Sequence, residues 1–169
     1  GEALNQLSEN EVSSGTTMEL YDEISENKFE QSIKLNDLPE DQKEYLSIKT
    51  IFDDKNYNLA IEEFTSFIDR FGSSSLTLRA RFWRAESNLR IKNWASAAEG
   101  FLTTFSADPN GPLSSYALFG LVLSLAELGE HRQSCAALNE IENRDREKFL
   151  QFNDQLQAFG KNLNCSAYQ

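Results

Sequence analysis

The chain has 169 residues, 40% of them hydrophobic and 11% aromatic, and a formal net charge of −11. That length suits one domain with a real core and an extension. The longest apolar runs fall far short of the 18 residues a membrane-spanning helix needs, and so acidic a chain is a poor nucleic-acid binder, because phosphate contacts need clustered Lys and Arg. The acidity is uneven: residues 1–44 hold 12 Asp/Glu against 3 Lys, a net of −9, and the other 125 residues hold 15 acids against 13 bases, a net of −2. No secretory signal is visible, and with Gly1 at its start the chain is read as a processed form. Two cysteines, Cys135 and Cys165, leave open one disulfide or two inert thiols.

Residues 1–38 are rich in Glu, Ser and Asn, with scattered apolar residues such as Met18, Tyr21, Ile24 and Phe29 and no sustained heptad. They are read as an acidic N-terminal extension, partly ordered or in short helices. From residue 39 the pattern becomes helical. Pro39 suits a helix start, Glu40 and Asp41 favour the dipole there, and the helix is expected to run to about Asp53. The phrase "NYNLAIEEF" follows at 56–64. Ser75 is expected to cap the next helix, "RARFWRAESNLRI", which leads to "NWASAAEGF" at 93–101. Pro112 and Ser114 open a third, "SSYALFGLVLSLAELG", with Gly129 as its C-cap, and "EHRQSCAAL" follows at 130–138. Breakers fall at Gly72 and at Pro109, Gly111 and Pro112.

The three phrases keep register. Tyr57, Trp94 and His131 stand 37 residues apart, as do Ala60, Ala97 and Ser134, and Phe64, Phe101 and Leu138. A period in the thirties points to a helical solenoid. A small residue in the middle column lets two helices approach, and the Phe or Leu four residues on lies on the same face. Phe149, Phe152, Leu156 and Phe159 then read as one face of a capping helix over about 144–161. The expected fold is all-α: a right-handed α-solenoid of three helix pairs (about 41–75, 76–112 and 113–142) and the capping helix, within a domain of residues 39–169.

These columns resemble tetratricopeptide repeats. More narrowly, "ARFWRAESNLRIKNWASAA", with Trp83 and Glu86, and "ALFGLVLSLAELGEHRQSCAAL", with Leu125, Leu128, Gly129 and a Cys in its second helix, are similar to the C-terminal repeat domain of the YbgF/CpoB family, over about residues 42–142. Arg84–Ala85 stands where that family usually has Leu-Gly, and Gly72 replaces its usual proline. The trimerising coiled coil of some members is not recognisable. The resemblance implies a non-enzymatic periplasmic scaffold that binds TolA of the Tol-Pal system and coordinates peptidoglycan synthesis with envelope constriction during division. A rival resemblance, to the BamD lipoproteins, implies outer-membrane protein assembly; a lipid-modified cysteine at the mature N-terminus would mark it. In the oxidising periplasm Cys135 and Cys165 are expected to pair, since the chain returning after the capping helix could reach the third helix pair.

Chemistry is scarce. The one histidine, His131, occupies the aromatic column, and no cysteine or second histidine is spaced for zinc. The calcium-like stretch from Asp54 fails, with Leu59 where the loop needs Gly and Thr65 where it needs Glu. The sequon at Asn164 competes with a bonded Cys165. Nothing marks a nucleophile. No cofactor, metal or catalytic residue is expected, and an enzyme is the remotest reading. A basic run on one helix (Arg79, Arg81, Arg84, Arg90 and Lys92, interleaved with Phe82 and Trp83) is more informative. In a solenoid the first helix of each pair lines the concave face, which points to a partner-binding groove. Its expected lining is Tyr45 and Lys49, then Arg79, Phe82, Glu86 and Arg90, then Tyr116, Phe119 and Leu123. Gln42, Asp53 and Glu127 complete the same positions. Where some repeat proteins place Lys and Asn to clamp a chaperone's C-terminal carboxylate, this chain has Tyr45 and Lys49, so that clamp is absent. The expected partner is a cell-envelope protein; the oligomeric state stays open.

Overall fold

The computed structural model describes residues 37–147 and 161–168. The expected N-terminal extension, but for Asp37 and Leu38, and most of the expected capping helix lie outside the described residues. The described chain is helical, with no strand among the described residues. Six helices of 14 residues follow one another: α1 (Glu40–Asp53), α2 (Tyr57–Arg70), α3 (Thr77–Arg90), α4 (Trp94–Ala107), α5 (Ser114–Glu127) and α6 (His131–Arg144). A 3₁₀ turn, Cys165–Tyr168, lies at the C-terminal end of the described residues. Each helix packs on the next, and α1 also touches α3 and α3 touches α5. This is sequential helix-on-helix packing, consistent with an all-α solenoid.

Sequence explains the turns within each pair. After α1, α3 and α5 the chain passes through one residue of left-handed backbone: Lys55 (φ 64°), Lys92 (φ 63°) and Gly129 (φ 79°). At each turn that residue and the next donate N–H bonds back into the helix. Lys55 and Asn56 bond the carbonyls of Phe52 and Ile51, Lys92 and Asn93 those of Leu89 and Asn88, and Gly129 and Glu130 those of Ala126 and Leu125. This Schellman arrangement satisfies carbonyls that a helix end leaves without partners. Gly129 was expected there; the two lysines were not, since a lysine pays a steric cost in this conformation that glycine avoids. Between pairs, Ser75 does not cap α3. The helix starts after Leu76 with no side-chain cap, and the neighbouring Ser74 hydroxyl instead accepts from the Leu76 N–H and donates to Asp41 of α1. Pro39 stands just ahead of α1 rather than inside it.

The core follows the three columns. Ala60, Ala97 and Ser134 each stand fourth in their helix and are fully buried, and Phe64, Phe101 and Leu138 lie buried one turn on. Tyr57, Trp94 and His131 open α2, α4 and α6 half-buried, and Tyr57 packs edge-on against Phe52 with ring centroids 5.4 Å apart. Ser134 fits an alanine column because its hydroxyl donates to the Val122 carbonyl at 2.8 Å, so a buried polar group is satisfied while tying α6 to α5. Close approach recurs nearby. A Cβ on Gly100 would sit 2.7 Å from that of Ala85, and one on Gly120 would sit 2.4–2.6 Å from three ring carbons of Phe101.

Cys135 and Cys165 are bonded, with sulfur atoms 1.99 Å and Cα atoms 5.4 Å apart. The bond pins the 3₁₀ turn to α6, where Arg132 lies over the Tyr168 ring at 5.1 Å and Leu163 is buried.

Two outcomes follow from this packing. Gly120→Ala gains about 1 kcal/mol of helix propensity in an open helix, but here the fully buried Phe101 ring blocks the added carbon, so urea unfolding should show a net loss of about 1–3 kcal/mol. Unchanged or higher stability would refute the close contact. The disulfide closes a loop spanning 30 residues of sequence, so reduction should lower stability by about 3–4 kcal/mol in the chain-entropy model. Intact-mass measurement after alkylation should find no free thiol until reductant is added.

Candidate partner-binding face

The nine residues expected to line a groove separate into three groups. The first belongs to the core. Tyr45 turns to α2, its ring 6.4 Å from Phe64 and 6.3 Å from Phe67. Phe82, only 2% exposed, packs edge-on against both Trp83 and Phe101. Tyr116 and Leu123 are also buried in the core of α5. Arg79 and Phe119 form the second group, half-buried on α3 and α5, with Phe119 packed against the core.

Lys49, Glu86 and Arg90 form the third group, and the structure brings them together. They meet around two aromatic rings the expected lining omitted, Phe52 and Trp83, whose centroids are 4.7 Å apart. The Lys49 ammonium lies 4.2 Å from the Trp83 centroid and 5.2 Å from that of Phe52. The Arg90 guanidinium lies 5.9 Å from the Phe52 centroid. Each cation has a carboxylate four residues away on its own helix. Lys49 Nζ donates to Asp53 at 2.7 Å, and Arg90 Nη2 donates to Glu86 at 3.2 Å. The cluster therefore bridges α1 and α3 through a ring–cation stack. The rings' negative faces compensate the ammonium for lost water, an effect of about 2 kcal/mol when desolvated. Lys49 is 5% exposed and Glu86 8%, low values for charged residues. The signal for Phe52 and Trp83 was legible: Phe52 follows Lys49 by one helical turn, and Trp83 stood inside the basic run.

The basic run of α3 does not act as one patch. Arg90 belongs to the cluster just described, and Arg79 lies about three turns earlier on α3. Arg81 and Arg84 line an open cavity of about 370 Å³ between α3 and α4, with Asn88, Ser96, Glu99 and Gly100. Burial pushes the Arg84 guanidinium below its usual range and the like charge of Arg81 adds to this, while Asp69 and Glu99 oppose it. Arginine stays protonated at neutral pH regardless. Arg84 also donates to the Thr65 hydroxyl at 3.2 Å. Lys92 is the left-handed turn residue.

Among the described residues, no helix is long and apolar enough to cross a membrane. Comparison of the chain with protein-family models and with curated protein sequences finds no match.

The Lys49 cluster can be tested without a partner. Lys49→Met keeps the apolar stem on Trp83 and removes a charge whose carboxylate, Asp53, is well exposed, so stability should change by less than about 1.5 kcal/mol. Lys49→Glu puts a third carboxylate among Asp53, Glu86 and the two ring faces and should cost more than about 2 kcal/mol. Equal effects from both substitutions in urea unfolding would show that the side chain does not sit on the rings.

Proposed function

We propose that this chain is a non-enzymatic protein-interaction scaffold of the tetratricopeptide type, a right-handed solenoid with a 37-residue unit and a C-terminal capping helix. Its working surface is the concave face formed by α1, α3 and α5, and its mechanism is recognition rather than catalysis. The observation that carries the reading is the Lys49–Trp83–Arg90 cluster. Cations held over aromatic rings, with half-buried Arg79 elsewhere on α3 and Phe119 on α5, form the mixture of anchors and charges that binding surfaces favour. Core rings beneath it, Phe82 among them, support this face rather than meet a partner.

The setting we propose is the periplasm. The bonded cysteine pair is compatible with an oxidising compartment. The resemblance of "ARFWRAESNLRIKNWASAA" to the YbgF/CpoB repeat domain suggests TolA as the partner and envelope constriction during division as the process.

The test is binding of purified TolA from the same organism by calorimetry. The double variant Arg79→Glu/Phe119→Ala alters two half-buried side chains, so its helicity should match wild type while affinity falls tenfold or more, about 1.4 kcal/mol. A double variant that binds as tightly as wild type would remove this face from the interaction. Wild-type protein that fails to bind TolA would remove the proposed partner.

A further inference from the structure

The turn between α4 and α5 carries a reactive pair. Of the chain's asparagines, Asn110 is the one followed by glycine, Gly111. An asparagine is open to attack from within its own chain. The amide nitrogen of the next residue can reach its side-chain carbonyl carbon, Cγ, and close a five-membered ring. A side chain on that next residue hinders the approach, and glycine has none. Asp108, Pro109 and Asn110 are exposed and lie outside the helices, so the ring can form without disturbing the core.

The structure adds what the dipeptide alone does not. The Arg144 guanidinium, at the end of α6, donates through Nη2 to the Asn110 Oδ1 at 2.8 Å and to the Pro109 carbonyl. Arg144 is held in turn by Glu140, whose carboxylate lies 3.4 Å from its Nε, and by the Phe105 ring, whose centroid is 5.1 Å away. A cation fixed on a carbonyl oxygen draws electrons from the carbon. It also stabilises the negative oxygen that forms when a nucleophile adds there. Gly111 is placed as closely. A Cβ at that position would clash with the Asp108 carboxylate, which occupies the room of the missing side chain. The Gly111 N–H donates to the Asp108 carbonyl at 3.1 Å. That bond must open before the nitrogen reacts, and local opening costs least in an exposed turn.

We propose that Asn110 is a self-modification site, at which the Gly111 amide nitrogen attacks the Asn110 side chain while Arg144 holds its carbonyl oxygen. The nitrogen loses its proton to water and bonds to Cγ. The Cγ–Nδ2 bond breaks, and the amide group takes a proton from water and leaves as ammonia. A succinimide ring remains, and water opens it at either carbonyl. Addition at Cγ restores the ordinary backbone with aspartate at position 110. Addition at the main-chain carbonyl gives isoaspartate, whose backbone is longer by one carbon. The balance needs only water.

The two products act differently. Aspartate brings a carboxylate to a guanidinium already in place and strengthens the tie between the turn and α6. Isoaspartate lengthens the chain just ahead of Gly111, whose carbonyl accepts from the Ser114 N–H at 3.2 Å and from the Ser114 hydroxyl at 2.8 Å where α5 begins. It therefore loosens the entry to α5. Either product changes how the second helix pair is joined to the third, and neither depends on the proposed binding face.

The test incubates the full chain at one fixed warm temperature, at neutral and at mildly alkaline pH. Peptide mass spectrometry follows amide-to-acid conversion at every asparagine, and methyl transfer by protein isoaspartate methyltransferase counts the isoaspartate. Conversion should be fastest at Asn110, give both products, and speed up with pH, because the deprotonated nitrogen is the nucleophile. Circular dichroism verifies the helix content of two variants, Arg144→Met and Arg144→Lys. Arg144→Met should slow the reaction severalfold, and Arg144→Lys, which keeps a cationic donor, should fall between it and wild type. Should Arg144→Met lose helix content, the comparison of Arg144→Lys with wild type decides. Faster conversion at another asparagine, or an Asn110 rate that the Arg144 variants leave unchanged or raise, would overturn the proposal.

Discussion

The fold depends on how closely α2, α4 and α6 approach their neighbours. Ala60, Ala97 and Ser134 leave no side chain to hold those helices apart, and Gly100 and Gly120 extend the same close contact to α3 and α5. Once the backbones are that close, the large residues one turn on have a single place to go. The Phe101 ring, for example, lies between Phe82 and the bare backbone of Gly120. Small residues set the spacing and aromatic residues fill what remains, which is how a layered stack reaches interior packing density. No single pair can bury its face alone, so each unit's core is completed by the next.

This arrangement separates the duties of the two helices in each pair. The second helices hold the columns and face the stack. Of the first helices, α3 and α5 are the most deeply buried of the six, and even the charged Lys49 and Glu86 on this side are largely removed from solvent. In α3 the division is visible residue by residue: Ala80, Ala85 and Leu89 serve the core, Arg79 and Arg90 serve the face, and Arg81 and Arg84 look into the cavity towards α4.

Most of the architecture was legible because its physics is periodic. A helix with a fixed apolar face, repeated with one spacing, leaves columns that survive replacement of Ala60 by Ser134 or of Phe64 by Leu138 in later copies. The capping and turn details were less legible, for local reasons. Gly129 announces left-handed backbone because glycine tolerates it, whereas Lys55 and Lys92 adopt it through Schellman hydrogen bonds that no residue type encodes. Ser75 looked like a cap by chemistry, but Ser74 supplies the hydroxyl that bridges to Asp41. The expected groove lining was misjudged in depth. Fixed offsets placed Tyr45, Phe82, Tyr116 and Leu123 on the first helices, yet helical periodicity cannot say whether a side chain tips outward or sinks between neighbours. Here those four sink.

On the proposed reading, the face offers a set of paired, largely buried charges rather than an exposed aromatic row. A lysine or arginine waving in solvent loses about 0.5–1.5 kcal/mol when a partner immobilises it. Lys49 and Arg90 have already met much of that cost, because each is held by a carboxylate four residues away and by a ring face. Their orientation is fixed by the same Phe52–Trp83 contact that joins α1 to α3, so the charge pattern is as rigid as the helix spacing beneath it. A partner that brings a carboxylate to this strip meets donors already in place. A partner that brings only apolar surface must strip the remaining water from the ion pairs without replacing it, which is unfavourable. On the proposed reading, the cluster favours acidic segments over purely hydrophobic ones, through residues whose positions are set by the core.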